Sequence, residues 1–393
     1  MTDKTVIVGM ARTPMGGMQG TLSAATAPKL GAVAIRSAIS RSKCSAEEID
    51  ETIMGCVLSA GLGQAPARQA AVGAGIPVSV PATTINKMCG SGMKSLMLGY
   101  DAINAGSATT IVAGGMESMS NAPHILPKSR TGVRLGHSNI LDHMFFDGLE
   151  DAFEKGRLMG SFAEECAKRY AFTREEQDQF AIESLKRAQN AIDTGAFARE
   201  IEPVTLKTKT GEKIIDTDEQ PGNAQLDKIA HLRPAFMSDG TVTAANSSSI
   251  SDGAAAVVLM SNRMAEEKEL RPEAYFLAHS SYAQEPAWFT TAPIAAIRGV
   301  MDKVGWKKDD VDLFEVNEAF AVVTMAAMRE LDIPHNKVNV RGGACALGHP
   351  IGASGARIVV TLVHAMQDIR AKRGIASLCI GGGEATAVAV ELP

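Results

Sequence analysis

The sequence predicts an α/β protein made of two repeated halves, with a charged segment inserted into the first. Short stretches recur in the same order at nearly constant spacing. Ala34-Ile35-Arg36 and Glu47-Glu48-Ile49-Asp50 return 262 positions later as Ala296-Ile297-Arg298 and Asp309-Asp310-Val311-Asp312. Ser91-Gly92-Met93-Lys94 returns as Ser354-Gly355-Ala356-Arg357 at 263, and the stretch 111–117 returns as 378–384 at 267. Ordered self-similarity of this kind marks a duplicated unit. Charge supplies the second observation: residues 120–250 hold 36 of the chain's 83 Lys, Arg, Asp and Glu, so the middle is solvated and the flanks are the buried part. The expected division is 1–119 with 251–270 as one half, 120–250 as the insertion, and 271–393 as the other half.

The elements follow in order. Val6-Ile7-Val8 opens a first strand, and Thr83–Ile85 a second, which leads through a small-residue turn into an apolar helical run from Met93 to Tyr100. The stretch 111–117 reads as a strand ending in a glycine pair. In the insertion, Thr173-Arg174-Glu175-Glu176 has the form of a capping box, and Phe180, Ile182, Leu185 and Ala188 continue it at roughly helical spacing. Pro221-Gly222 predicts a loop. In the second half Leu313–Val316 and Ile375–Leu378 read as strands, and the glycine-rich run 342–355 predicts a loop leading into a helix at Ala356.

Composition narrows the class. The chain of 393 residues exceeds one small module, and no apolar run approaches the ~18 residues of a membrane span. A net charge of −5 leaves no basic field for a phosphate backbone, so nucleic acid is not an expected partner. The start Met1-Thr2-Asp3-Lys4-Thr5 has no basic or apolar leader, and the expected location is cytoplasmic. Six scattered cysteines are not a disulfide framework and read as individual thiols. Aromatic residues are only 5%, whereas Gly numbers 37 and Met 19, which predicts close backbone approaches and a core of small, flexible side chains.

Four segments carry candidate chemistry. In Asn86-Lys87-Met88-Cys89-Gly90-Ser91-Gly92, Cys89 falls near a helix N-terminus, where the dipole and free N–H groups favour the thiolate, and the glycines admit a substrate to the backbone. A buried inert cysteine is the alternative. His349, between Gly348 and Pro350, is fixed on a stiff loop and suits a general base; a surface histidine or a phosphate-cradling loop is the bland counterpart. The run lacks a P-loop ending and no G-x-G-x-x-G follows a first strand, which argues against nucleotide chemistry. Cys379 precedes Ile380-Gly381-Gly382-Gly383, placing a thiol beside bare N–H donors for an oxyanion. Asn317, where a strand meets a helix, reads alone as a helix cap. Cys345, His349 and Cys379 also read as metal ligands, but without a C-x-x-C pair no metal is expected.

Together these segments, with Val316-Asn317-Glu318-Ala319-Phe320 and Gly348-His349-Pro350-Ile351-Gly352-Ala353-Ser354-Gly355, closely resemble the signatures of the thiolase family, across essentially the whole chain. The resemblance implies a five-layer αβαβα fold of two repeated halves with an inserted loop domain. It implies an acetyl-CoA C-acetyltransferase joining two acetyl-CoA into acetoacetyl-CoA and CoA through an acyl-cysteine, or cleaving in reverse, with CoA thioesters as substrates, no cofactor, and a homotetrameric assembly. A broader-chain 3-ketoacyl-CoA thiolase is the alternative, and a non-catalytic acyl-CoA-binding protein the alternative of another class. Cys89 would be the nucleophile, His349 its activator and later a hydrogen-bond donor to the thioester oxygen, and Cys379 the acid/base at the methyl carbon. Asn317 would hold a water at the enolate, and the N–H groups of Cys89 and Gly381 would form a second oxyanion hole. Met159, Phe236, Ala244, Ser248, Ala319 and Phe320 match the family's CoA-binding positions.

The sequence also departs from the family pattern. Leu158-Met159-Gly160 stands for a His-Met-Gly run, replacing a polar CoA contact by Leu158, and Pro221-Gly222 stands near where an Arg is common. Ala245–Ser249 is more polar than usual, and Trp288–Pro293 replaces a Met-Gly-rich stretch beside the acyl pocket, where it would alter chain-length preference.

Overall fold

The structure, a computed structural model, describes residues 4–208 and 211–393. Met1, Thr2 and Asp3, the start of the leaderless N-terminus expected above, lie outside the described residues. The strands that organise the chain are β1 (Thr5–Arg12), β2 (Glu51–Gly55), β3 (Ala82–Ile85), β4 (Thr110–Ser118), β5 (Ser251–Ser261), β6 (Ala274–Ala283), β7 (Leu313–Val316), β8 (Arg373–Ile380) and β9 (Glu384–Glu391). They run in the order β7-β8-β9-β6-β1-β5-β4-β2-β3, with the two-residue strand Gly16–Gly17 pairing beside β5.

The two halves share one pattern of pairing. In the first, β1 and β4 both run antiparallel to β5, and β2 is parallel to β4. In the second, β6 and β8 are antiparallel to β9, and β7 is parallel to β8. The halves join through three residue pairs, Thr5–Phe276, Val6–Tyr275 and Ile7–Ala274.

Side-chain alternation sorts these strands into layers. Ala254, Ala256, Val258 and Met260 of β5 pack on α1 (Ala27–Ser42) and α2 (Pro66–Ala74), while Ala255, Val257 and Leu259 face α3 (Ser91–Asn104) and a long later helix, Ile351–Ile369. From the other side, Ala376, Leu378, Val388 and Val390 cover the same two helices; Ile375, Ala385, Ala387 and Ala389 point outward onto the helix Ala292–Val304. Helix, sheet, helix, sheet and helix therefore stack in five layers, and the sheet curls around the central pair.

The registers correct one of the repeats. Asp50 Oδ2 accepts the backbone N–H groups of Thr109 (2.7 Å) and Thr110 (3.0 Å) at the start of β4. Asp312 Oδ2 does the same for Lys372 (2.7 Å) and Arg373 (2.9 Å) at the start of β8. Thr110 thus corresponds to Arg373, an offset of 263. Gly114-Gly115 lies inside β4, whereas Gly381–Gly383 follows β8, so the stretches matched at 267 are alike in composition and not in position.

The insertion contributes α4 (Met159–Tyr170) and α5 (Arg174–Asp193), the latter opened by the Thr173–Glu176 capping box. The long helices of the second half are α6 (Ala292–Val304), α7 (Ala321–Leu331) and α8 (Ile351–Ile369), and a single helical turn, Ala344–Leu347, interrupts the run expected as loop. Phe162 and Cys166 of α4 pack on Val322 and Val323 of α7. A buried ion cluster ties the insertion to both halves: Arg12 of β1 donates to Glu200 (2.6 Å) and to both oxygens of Asp218 (2.7 and 2.9 Å), while Arg341 and Thr361 of the second half donate to Glu200 (3.3 and 3.0 Å). Opposite charges nearby hold the buried Glu200 carboxyl below its usual range despite its desolvation.

Two local expectations are revised. Pro221-Gly222 lies within a single helical turn, Glu219–Asn223, because proline at the third helical position forfeits an N–H that has no intrahelical partner there. The long helix α8 begins at Ile351 and not at Ala356, and its glycines serve packing. A Cβ on Gly355 would lie 2.3 Å from the Met93 backbone nitrogen, and one on Gly92 would lie 2.8 Å from that of Ala356, so α3 and α8 cross backbone to backbone. Gly355→Ala is expected to cost about 3 kcal/mol in urea-melt stability. Gly299→Ala in α6 meets only Ser280 at 3.6 Å and is expected to be stabilising by up to about 1 kcal/mol.

Candidate active site

Cys89 ends the turn between β3 and α3, and its own neighbours shape that turn. The Ser91 hydroxyl accepts the Lys87 N–H at 2.8 Å and donates to the Met88 carbonyl at 2.6 Å, Asn86 Oδ1 accepts the Met88 N–H at 2.9 Å, and Met88 takes a left-handed φ of 48°. Lys87 pairs with Glu384, joining this turn to the strand that follows Gly381–Gly383.

The thiol keeps part of its surface open to a cavity yet lies deep among protein atoms. Burial pushes it up to about 11, with a smaller push from Glu117, against the lowering effect of the N–H groups of Gly381 and of Cys89 itself. The helix N-terminus therefore does not produce the resting thiolate expected from sequence; desolvation outweighs it. The flanking glycines also have another use: a Cβ on Gly90 would strike Ile380, as one on Gly92 would strike α8. The rate of Cys89 alkylation by iodoacetamide is expected to climb roughly tenfold per pH unit between pH 7 and 9. A preformed thiolate would instead give a plateau in that range.

His349 lies one residue before Pro350, the N-cap of α8, after a Gly348 whose φ of 99° and near contact with Ser251 admit no side chain. Burial, and then the positive charge of Arg357, lower the imidazole to about 3, so it is neutral at working pH. Its Nδ1 is 2.5 Å from the Ser354 hydroxyl, which lies 3.0 Å from the Pro350 carbonyl. When that hydroxyl donates to Pro350, it accepts Nδ1–H and leaves a lone pair on Nε2; when it turns to donate to Nδ1, the hydrogen moves to Nε2. Ser354 thus holds the ring in either tautomer. Asn317 Nδ2 is 3.5 Å from the same Nδ1, and both Asn317 Oδ1 and His349 Nε2 are buried without a hydrogen-bond partner among the described residues. Asn317 is not a cap, since α7 starts at Ala321 with Phe320 before it.

Cys379, next to last in β8, is 1% exposed, and burial followed by the nearby Cys89 pushes its thiol well up. Cys345 is elsewhere, with its Sγ directed at the Glu318 carbonyl.

These groups meet at a cavity of about 560 Å³. Cys89, His349, Cys379 and Gly381 line it, as do Leu158, Met159, Phe236, Ala244, Ser248, Ala319 and Phe320. Asn317 is not part of this wall and lies beside His349. Unforeseen from sequence is a further stretch of wall, 145–152, whose one signal was the apolar pair Phe145-Phe146 in a charged region. Phe289 also lines the cavity, so the departure noted at Trp288–Pro293 does reach the site, whereas Pro221 does not line it. Five of the chain's twelve Phe stand in this wall, with Phe236, Phe320 and Phe289 in edge contact at 5.9 and 6.5 Å. The scarce aromatic residues are concentrated here. A largely apolar cavity with a few polar and reactive groups in its wall suits a ligand with an apolar body and one reactive carbonyl.

Comparison with known proteins agrees with this geometry. The family model described as "Thiolase, N-terminal domain" matches residues 5–263, and "Thiolase, C-terminal domain" matches residues 270–392. The chain is 50% identical over 385 residues to an acetyl-CoA acetyltransferase of Pseudomonas aeruginosa, covering 98% of each chain. It is 49% identical over 393 residues to one of Cupriavidus necator, covering 100% of each. Among solved structures it superposes on Acat5 thiolase from Ascaris suum, crystallised in complex with coenzyme A, with a TM-score of 0.94 and 43% identity, covering 99% of this chain and 100% of that one. With the duplicated five-layer fold, both halves matched and relatives of this identity over full length, the chain belongs to the thiolase family.

Proposed function

We propose that the protein is an acetyl-CoA C-acetyltransferase in which Cys89, His349, Cys379 and Asn317 carry the chemistry and the N–H groups of Cys89 and Gly381 hold an oxyanion. The function follows from full-length relatives of that name. The residue roles are supported by one observation above all: two thiols, an imidazole whose Nε2 has no partner among the described residues and Gly381 line one largely apolar cavity.

Protons balance over the cycle as follows. Cys89 Sγ attacks the carbonyl of the first acetyl-CoA while its proton passes to His349 Nε2. The C–S bond to CoA breaks, and the departing thiolate takes the Cys379 proton and leaves as CoA. Cys379, now a thiolate, removes a methyl proton from the second acetyl-CoA. The enolate oxygen is met by Nε2–H of His349 and by a water on Asn317 Oδ1. The enolate carbon attacks the acetyl group, Cys89 leaves, and His349 returns its proton. The thioesters are substrates, and no step calls for a cofactor.

The reading extends to residues 120–250 as the unit that holds CoA, since they supply Leu158, Met159, Phe236, Ala244 and Ser248 to the wall. It also extends to a cytoplasmic homotetramer. The exposed apolar side chains of Val78, Leu135 and Ile140 offer surface for assembly, and no helix among the described residues is long and apolar enough to cross a membrane.

Initial rates of thiolysis across a series of 3-ketoacyl-CoA chain lengths test the reading. Acetoacetyl-CoA is expected to be the preferred substrate, with rates falling as the chain lengthens against Phe289 and Phe320; a flat profile would favour the broad-chain alternative, and no turnover the binding protein.

A further inference from the structure

Glu117, at the end of β4, is fully buried, does not line the cavity and has no part in the proton bookkeeping. Its carboxylate nevertheless takes three backbone N–H groups from two separate segments. Oε2 accepts from Val57 (3.0 Å) and Gly352 (2.9 Å), and Oε1 accepts from Leu58 (3.1 Å) and from the Cys56 thiol (3.8 Å). Gly352 is the second residue of α8, a helix whose N-cap, Pro350, has no side chain able to accept a hydrogen bond. The cap comes instead from the other half of the molecule. Val57 and Leu58 complete the attachment by packing on Ile351, and the same cluster reaches Met88 and Cys89.

The duplication shows what kind of place this is. At the offset of 263, Gly352 corresponds to Cys89, and the end of β4 corresponds to the end of β8. In one copy the N–H at the start of the central helix faces the reactive thiol together with the Gly381 N–H. In the other copy the equivalent N–H faces Glu117. The repeat-related place is occupied by the protein's own carboxyl group, which holds the helix end that follows His349.

We propose that Glu117 is a positioning residue for acyl transfer: by capping α8 from across the repeat, it sets His349 relative to Cys89. The proposal rests on His349 being the base. Burial pushes the Glu117 carboxyl up to about 7 against the lowering effect of the Val57, Leu58 and Gly352 N–H groups, and its ionised form, held by those three donors at a helix N-terminus, is a directional anchor. Loss of register by a fraction of an ångström at a reacting pair costs rate and not affinity.

The test uses the full-length enzyme with Glu117→Gln, which keeps the length but gives up the charge and one acceptor, and Glu117→Asp, which keeps the charge but withdraws it from Gly352. For each, kcat is expressed per Cys89 titrated with labelled iodoacetamide. Both are expected to lower kcat by roughly tenfold to a hundredfold while KM for acetoacetyl-CoA and CoA stays within about twofold. Unchanged kcat per titrated site in either folded variant would overturn the proposal, as would a proportional change in KM; should Glu117→Asp fail to fold, Glu117→Gln decides alone. His349→Ala is run alongside. If it retains activity, the assignment of the base has failed; if it is inactive while the Glu117 variants match the parent, only the positioning role has failed.

Discussion

Cys89→Ala is expected to abolish thiolysis of acetoacetyl-CoA, with a loss of about 10⁴-fold or more, and to take up no acetyl group from labelled acetyl-CoA. The size of the effect follows from what remains. Without a sulfur at residue 89 no acyl-enzyme forms, and direct attack of CoA on the bound ketoacyl group would need a thiolate brought into an apolar cavity beside an imidazole that burial makes a weak base. Residue 89 is partly open to the cavity and makes no structural hydrogen bond from its Sγ other than those with the N–H groups of Gly381 and itself, so the variant is expected to fold. A variant that cleaved acetoacetyl-CoA at the parent rate would remove Cys89 from the mechanism.

The second large effect separates the two thiols. Cys379→Ser is expected to leave acetylation of Cys89 measurable by mass spectrometry while condensation and thiolysis fall by about 10³-fold. The methyl group of acetyl-CoA is a weak carbon acid, and burial raises the Cys379 thiol well above its ordinary range. Once formed, its thiolate is therefore a stronger base than a solvated one. A serine hydroxyl at the same place gives up its proton far less readily and cannot be left as the anion when CoA departs. Loss of acetylation together with loss of carbon–carbon chemistry would mean that the roles of the two cysteines had been wrongly divided.

Much of this was legible in the sequence for a physical reason. The apolar runs that become β4, β7 and β8 and the turn residues around Cys89 are local, and a duplicated unit displays each such signal twice. The four segments bearing Cys89, Asn317, His349 and Cys379 are contiguous runs in which backbone and side chain are specified together. What was not legible depends on partners distant in the chain. The acidity of Cys89 could not be judged from its place near a helix, because the decisive quantity is burial supplied by residues 140–250 and by β8. The glycines at 90 and 92 suggested room for a ligand, yet Ile380 and α8 fill that room. Asn317 looked like a cap because its neighbour in space, His349, is 32 residues away. Glu117 lay inside a matched stretch, but the match set it against Glu384, which pairs with Lys87 at the surface of the site, and so concealed that its counterpart lies at the end of β8.

The crossing of α3 and α8 bears on the duplication as well as on packing. Gly92 and Gly355 are the same position in two copies of one unit, and each is pressed against the backbone of the other helix. The duplication therefore ties the two positions together: the approach that one glycine permits is the approach that the other permits, and neither can accept a side chain until the opposite helix gives way.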